Sequence, residues 1–218
     1  MYNTRSGLLI GFHGCDKLMQ QHLLSGTVDI HVSDKPFDWL GHGMYFWENN
    51  YERALQWAID KCERNAGVSE PAVVGAVLDL NYCCDFLDQS FIRMIGAYYD
   101  LMALEFQSMG KALPVNKDFA KDLYKDKLMR FLDCETIEFM HKNIRTIGQC
   151  INMPPGLTSL KPFDSVRGAF LEGGEAFPGA GISAKTHIQI CIRNPNCIKG
   201  FFQKREEVDF IQLEISRS

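Results

Sequence analysis

Apolar and polar positions divide the chain into three textures. Residues 1–84 mix short apolar runs with helical segments, 85–150 read as almost entirely helical, and from Pro154 onward the chain reads as loops and short strands. In the first zone Leu8–His13 is a predicted strand bounded by Gly7 and Gly14; Leu8, Ile10 and Phe12 share one face, and Leu9, Gly11 and His13 the other. Asp16–Ser25 reads as a helix, with Asp16 as N-cap and Gly26 just past its end. A second helix begins at Asn49 or Asn50, Glu52 standing three residues after Asn49 as in a capping box. Its apolar stripe is Tyr51, Ala54, Leu55, Ala58, Ile59 and Cys62. The β-branched run Val73–Leu80 is too short for a helix and predicts a buried strand.

In the middle zone Phe91, Met94, Ile95, Tyr98 and Met102 fall at helical spacing. Leu123, Leu128 and Phe131, then Ile137, Met140, Ile144 and Ile147, suggest two more helices. Stripes of this kind are core, not a cofactor box. The last zone holds a strand at Val166–Leu171, a loop from Glu172 to Gly181, and the most regular strand of the chain, Thr186–Arg193. There Ile188, Ile190 and Ile192 face a core, and His187, Gln189, Cys191 and Arg193 face elsewhere, the usual explanation being a solvated face. Two further strands are expected near Ile198–Gln203 and Val208–Ile215. No repeat, low-complexity tract or linker divides the chain, so 1–218 reads as one α+β domain with a helical insertion at about 85–150.

Composition narrows the class. Hydrophobic residues at 46% and charged residues at 23% are ordinary globular values, and the net charge of −4 argues against binding nucleic acid through bulk positive potential. No apolar run approaches the roughly 20 residues of a membrane span, so no membrane association is expected. Eight cysteines without a C-x-x-C pair, behind an N-terminus with no basic-then-apolar leader, predict a reduced, cytoplasmic protein whose thiols are mostly buried. C-x₂₋₄-C and H-x₃₋₅-H spacings are absent as well, so no metal is expected.

Candidate chemistry lies where glycines flank polar residues at strand ends: Gly11-Phe12-His13-Gly14, the run Leu40-Gly41-His42-Gly43-Met44-Tyr45-Phe46-Trp47, and the Gln189 strand behind its Gly/Pro loop. A strand ending in His-Gly, then Gly-x-Gly-x-Tyr-Phe entering an amphipathic helix, then a late strand carrying a polar residue, resembles the ADP-ribosyltransferase superfamily, on its His-Tyr-Glu side (diphtheria toxin and the poly(ADP-ribose) polymerases). The resemblance covers about 1–65 and 160–215. It implies a split β-sandwich of short, mostly antiparallel strands with flanking helices, and NAD⁺ as substrate. It also implies that His13 holds the adenosine-side ribose, that Tyr45 and, one position displaced, Trp57 bracket nicotinamide, and that Gly14, Cys15 and Gly43 lie along the bound dinucleotide.

The chain departs from the pattern at the third position, where Gln189 stands in place of the glutamate. A glutamine can hold a ribose hydroxyl but cannot supply the full negative charge that stabilises an oxocarbenium-like ribose. Glu172 or Glu175 in the preceding loop are candidates for that charge, and Glu206 and Glu207 come last. The departure implies mono-ADP-ribosyl transfer or no transfer at all, and the net charge of −4 points to a protein or small-molecule acceptor over nucleic acid. The alternatives are a binding module of the same fold, or a hydrolase that consumes NAD⁺.

Each residue also has a plainer reading. His13 is equally a strand-end histidine bonded to backbone, and Tyr45 and Trp47 are equally core aromatics. Trp57 falls off the helical stripe and can simply cover a strand, Cys15 near His13 could form a thiol–imidazole pair, and His22, His31 and His141 read as surface or helix-face residues. Lys111, Lys117, Lys121, Lys125, Lys127 and Arg130 read as a solvated helix face.

Overall fold

The computed structural model describes residues 7–28, 30, 32–119, 122–148 and 161–206. Seven strands form one mostly antiparallel sheet: β1 (Leu9–Asp16), β2 (Met44–Glu48), β3 (Pro71–Leu78), β4 (Cys83–Asp85), β5 (Ser165–Phe170), β6 (His187–Ile192) and β7 (Ile198–Phe202). Their order across the sheet is β4-β5-β6-β2-β1-β3-β7, and only β4 and β5 run parallel. The helices are α1 (Lys17–Ser25), α2 (Tyr51–Glu63), α3 (Gln89–Ser108) and α4 (Phe131–Gly148). None of the described helices is long and apolar enough to cross a membrane.

Local signals account for the first two helices. Asp16 accepts a hydrogen bond from the Leu18 N–H, and Gly26 closes α1 at φ 66°, a left-handed conformation that glycine adopts without a Cβ clash. The N-cap of α2 is Asn50, whose carbonyl oxygen accepts from the Arg53 N–H at 3.0 Å; Asn49 lies outside the helix at φ 49°.

The register assigns residues to the two faces of the sheet. On one face Cys15, Met44, Phe46, Val74, Ala76, Leu78, Ile190 and Ile192 form a core under α1, with Leu23. On the other, α2 covers Trp47 and Val73 through Ala54, and α4 with α3 covers Val166 and Cys191 through Ile137, Met140 and Phe91. Both faces of β6 are therefore covered. His187 is 5% exposed and Cys191 fully buried, which overturns the solvated face expected from the alternation. Alternation reports which residues share a face, and here the second face lies under α4 instead of water.

Two further expectations fail on the helical insertion. Residues 109–130 contain no helix among those described, and Leu123, offered as a core position, is 81% exposed. The expected lysine-bearing helix face is accordingly absent, Lys125 and Lys127 standing at positive φ in an irregular segment. His141, read as a surface or helix-face residue, lies on the buried face of α4 and is wholly buried, its Nδ1–H donating to the Ile137 carbonyl at 2.9 Å. The expected strand at Val208–Ile215, and His31, lie outside the described residues.

The central junction of the sheet positions the candidate site. Strand β1 pairs with β3 over eight residue pairs but with β2 only at Gly11↔Glu48 and Phe12↔Trp47. Beyond Phe12 the two strands part. β1 follows β3, β2 follows β6, and the sheet opens a notch bordered by His13 and Tyr45.

Candidate functional site

His13 closes the top of that notch. Its Nδ1 lies 2.7 Å from the Tyr45 carbonyl oxygen, so Nδ1–H donates across the gap, and burial pushes the imidazole pKa down, keeping the ring neutral. The backbone-bonded reading of His13 thus describes one nitrogen, and the other remains available. Trp57 stands beside it, ring centroids 6.5 Å apart, and packs at 5.4 Å on Trp47, with Lys61 Nζ 4.3 Å above the Trp57 ring. The residue that fell off the helical stripe is the one that reaches over the sheet to His13.

Tyr45 is half-buried against the α4 core. Its hydroxyl donates to the Gly41 carbonyl at 2.8 Å and accepts from the Leu40 N–H at 2.9 Å, fixing the loop that leads into β2. Burial raises the phenol well above its ordinary pKa, so it stays protonated. Gln189 pairs in register with Trp47, which puts it on the same face as Tyr45; its side-chain oxygen accepts from Trp39 Nε1 at 2.5 Å. His13, Tyr45 and Gln189 therefore occupy three consecutive strands, β1, β2 and β6.

The glycines serve the fold at these positions. A Cβ on Gly14 would stand 2.1 Å from the Ala54 carbonyl oxygen, and one on Gly43 would stand 2.4 Å from Cys191 Sγ. The close approach each permits is made to α2 and to β6 within the chain. Cys15 is 6% exposed in the α1 core, and burial pushes its thiol up to about 11, the reverse of an activated nucleophile.

Of the loop glutamates, Glu175 is exposed and accepts from the Gly179 N–H at 2.9 Å. Glu172 is 7% exposed and forms an ion pair with Arg53 of α2, accepting from Arg53 Nε at 3.0 Å and also from Nη2. Glu206 is exposed, and Glu207 lies outside the described residues.

Three features escape a linear reading. The first is the neck of the 172–186 loop, where the Lys185 N–H donates to the Glu172 carbonyl and the Ala184 N–H to the Gly174 carbonyl, both at 2.9 Å. The second is the insertion's grip on that neck. Asp126 accepts from the Gly173 N–H at 2.7 Å, and the Tyr124 ring lies where a Gly174 side chain would stand. The third is His187, packed between Trp47 and Phe170 with ring centroids 6.2 and 5.7 Å away and Nδ1 4.0 Å from Glu172 Oε1. A histidine at a strand start and a glutamate at a loop start were visible in the sequence; nothing local paired them.

Among the described residues no group of three His, Cys, Asp or Glu side chains is placed to hold a metal ion. Compared with protein-family models, with curated proteins and with solved structures, the chain finds no match in any of the three.

Proposed function

We propose that the protein is an NAD⁺-dependent mono-ADP-ribosyltransferase of the split-sandwich, His-Tyr-Glu kind, with glutamine at the third position. The observation that carries the reading is that His13, Tyr45 and Gln189 lie on the adjacent strands β1, β2 and β6, with His13 bonded to the Tyr45 carbonyl where β1 and β2 part. A neutral imidazole with one nitrogen uncommitted suits a ribose diol, to which it offers a donor or an acceptor. Trp57 beside the notch offers an aromatic face to the cationic nicotinamide ring, an attraction of about 0.5–2 kcal/mol. Gln189, held by Trp39, orients the nicotinamide-side ribose. As the glycosidic bond loosens, its electron pair leaves with neutral nicotinamide, and the acceptor adds to the exposed ribose carbon.

A second reading, an NAD⁺ or ADP-ribose binding module without chemistry, draws on the carboxylates. Gln189 carries no charge, and Glu172 is neutralised by Arg53, so neither presents a free anion to a developing cation.

Incubation with NAD⁺ labelled in its adenylate portion, in cell extract, separates the two. The transferase leaves label on macromolecules, and parallel protease and nuclease digestion names the acceptor. Tyr45→Phe, which keeps the ring, retains labelling, and Tyr45→Ala loses it. NAD⁺ bound but left intact would replace the transferase with the binding module. Nicotinamide released without label would make the protein a hydrolase.

A further inference from the structure

Five buried side-chain polar atoms among the described residues have no hydrogen-bond partner, and three of them belong to one cluster: Trp47 Nε1, Arg53 Nη1 and His187 Nε2. Arg53 Cζ lies 6.0 Å from the Trp47 ring, His187 lies 6.2 Å from the same ring, and Glu172 touches both Arg53 and His187. Trp47 is 2% and His187 5% exposed, so water does not satisfy these atoms from outside. A buried polar atom left unpaired costs on the order of 1–3 kcal/mol, so three together need an explanation.

Their chemistry specifies the missing partner. Trp47 Nε1 and Arg53 Nη1 only donate. His187 Nδ1 lies 2.6 Å from the Lys185 carbonyl oxygen, which only accepts, so Nδ1 carries the hydrogen and Nε2 of the neutral ring presents a lone pair. Two donors and one acceptor match a hydroxyl, which gives one hydrogen and takes two. We propose that Trp47, Arg53 and His187 form the subsite for a hydroxyl group of the acceptor, and that His187 Nε2 is the atom that takes its proton. This rests on the transferase reading for its chemistry, though not for the binding of the hydroxyl.

In the step, the acceptor O–H proton passes to Nε2 and the oxygen lone pair forms the bond to the ribose anomeric carbon. The glycosidic C–N bond breaks, its electron pair leaves on nicotinamide, and the proton on His187 is released to solvent. Burial, with Arg53 nearby, holds the imidazole pKa below its ordinary value, so the ring is neutral before the step. Glu172 Oε1, 4.0 Å from Nδ1, faces the cation once it forms. The subsite lies at the closed neck of the 172–186 loop, with Glu172 and His187 at its two roots. A hydroxyl enters when the Glu172–Lys185 and Gly174–Ala184 backbone bonds part.

The test uses D-ribose as the hydroxyl probe and the full chain with labelled histidine and tryptophan side chains, followed by NMR. Ribose is expected to shift the Trp47 indole N–H and the His187 imidazole signals saturably, and tetrahydrofuran, the same ring without hydroxyls, to shift neither. In His187→Phe the Trp47 response weakens at least tenfold. With NAD⁺ present, that variant forms ADP-ribosyl-ribose about 100-fold more slowly, with NAD⁺ affinity unchanged. Signals indifferent to ribose in the native chain mean a structural water only and overturn the proposal without any variant. Ribose bound without nicotinamide release removes the transferase reading and the proton-transfer role, and leaves the hydroxyl site standing. Nicotinamide release with Trp47 and His187 unmoved, and with undiminished transfer in His187→Phe, removes the subsite and leaves the transferase reading.

Discussion

Gly14 illustrates how one atom can be decisive at the scale of the residue. It follows His13, and a glycine beside a candidate ligand-binding histidine suggests room for a ligand. The tightest neighbour of its missing Cβ is instead the Ala54 carbonyl oxygen at 2.1 Å, with Trp57 at 3.3 Å. Backbone cannot swing aside as a side-chain end can, so Gly14→Ala must push α2 away from β1. Overpacking of this kind costs about 1–3 kcal/mol. Urea unfolding should show that loss, together with weakened His13–Trp57 contact; an unchanged midpoint would mean that α2 does not sit against Gly14. The same residue therefore serves the site indirectly, by letting α2 bring Trp57 to the notch.

Among the elements, α4 has a buried face that carries charge chemistry as well as packing. Glu138 is half-buried, and desolvation alone would raise its pKa, but Arg193 of the chain after β6 and the His42 N–H hold the carboxyl low. One turn on, His141 is wholly buried against Phe163, and desolvation with the nearby Arg193 pushes it down to about 4. Unfolded, the same histidine titrates near 6.5. Between those values the unfolded chain binds a proton that the folded one refuses, so stability falls on acidification from about pH 6.5 and the loss is complete by about pH 4. His13 and His187, both lowered by burial, act with the same sign. Denaturant titrations at pH 7, 5.5 and 4 should show this slope, and His141→Gln should flatten it. An identical slope in the variant would place the acid sensitivity elsewhere. Helix α2 works differently: its narrow stripe of Ala54 and Ala58 lets it lie close, while Arg53 and Trp57 reach sideways to the loop and to the notch.

At the scale of the whole molecule, Arg167 of β5 ties together the β4-to-β2 half of the sheet. Its guanidinium binds Glu48 of β2 through Nε at 2.6 Å and Nη2 at 2.9 Å, and meets both Asp85 oxygens of β4 at 3.2 Å from Nη1. Four strands, β4, β5, β6 and β2, are spanned by one 4%-exposed side chain. Removing one partner of a buried charge network strands the others, at about 3–5 kcal/mol. Arg167→Met is expected to lose that much in equilibrium unfolding and to leave the 9–16 strand least affected; a loss below about 1 kcal/mol would show that the network breaks even against its desolvation. The insertion also acts at this scale, since Asp126 and Tyr124 brace the neck of the loop that roots Glu172 and His187.

The division between what is local and what is not runs through each of these features. The strands expected at Leu8–His13, Val73–Leu80 and Thr186–Arg193 exist with bounds shifted by one to three residues, and the Asp16 cap, the Gly26 stop and the stripe of α3 were legible too, because alternation, capping and helical spacing act within a few residues. The sequence also singled out His13, Tyr45, Gln189 and Trp57 by their glycines or by an aromatic at a strand end or helix face; the structure puts the first three on β1, β2 and β6 and Trp57 beside His13, and their role belongs to the proposed function. The spacing of Leu123, Leu128 and Phe131 misled, since three apolar residues suggest a stripe whether or not a core lies beneath them. The burial of His187 and His141, the parting of β1 from β2, and the pairing of Arg53 with Glu172 across 119 positions left no trace in the linear pattern. Each depends on which element packs over which face, and that is set by the summed burial of residues far apart in the chain.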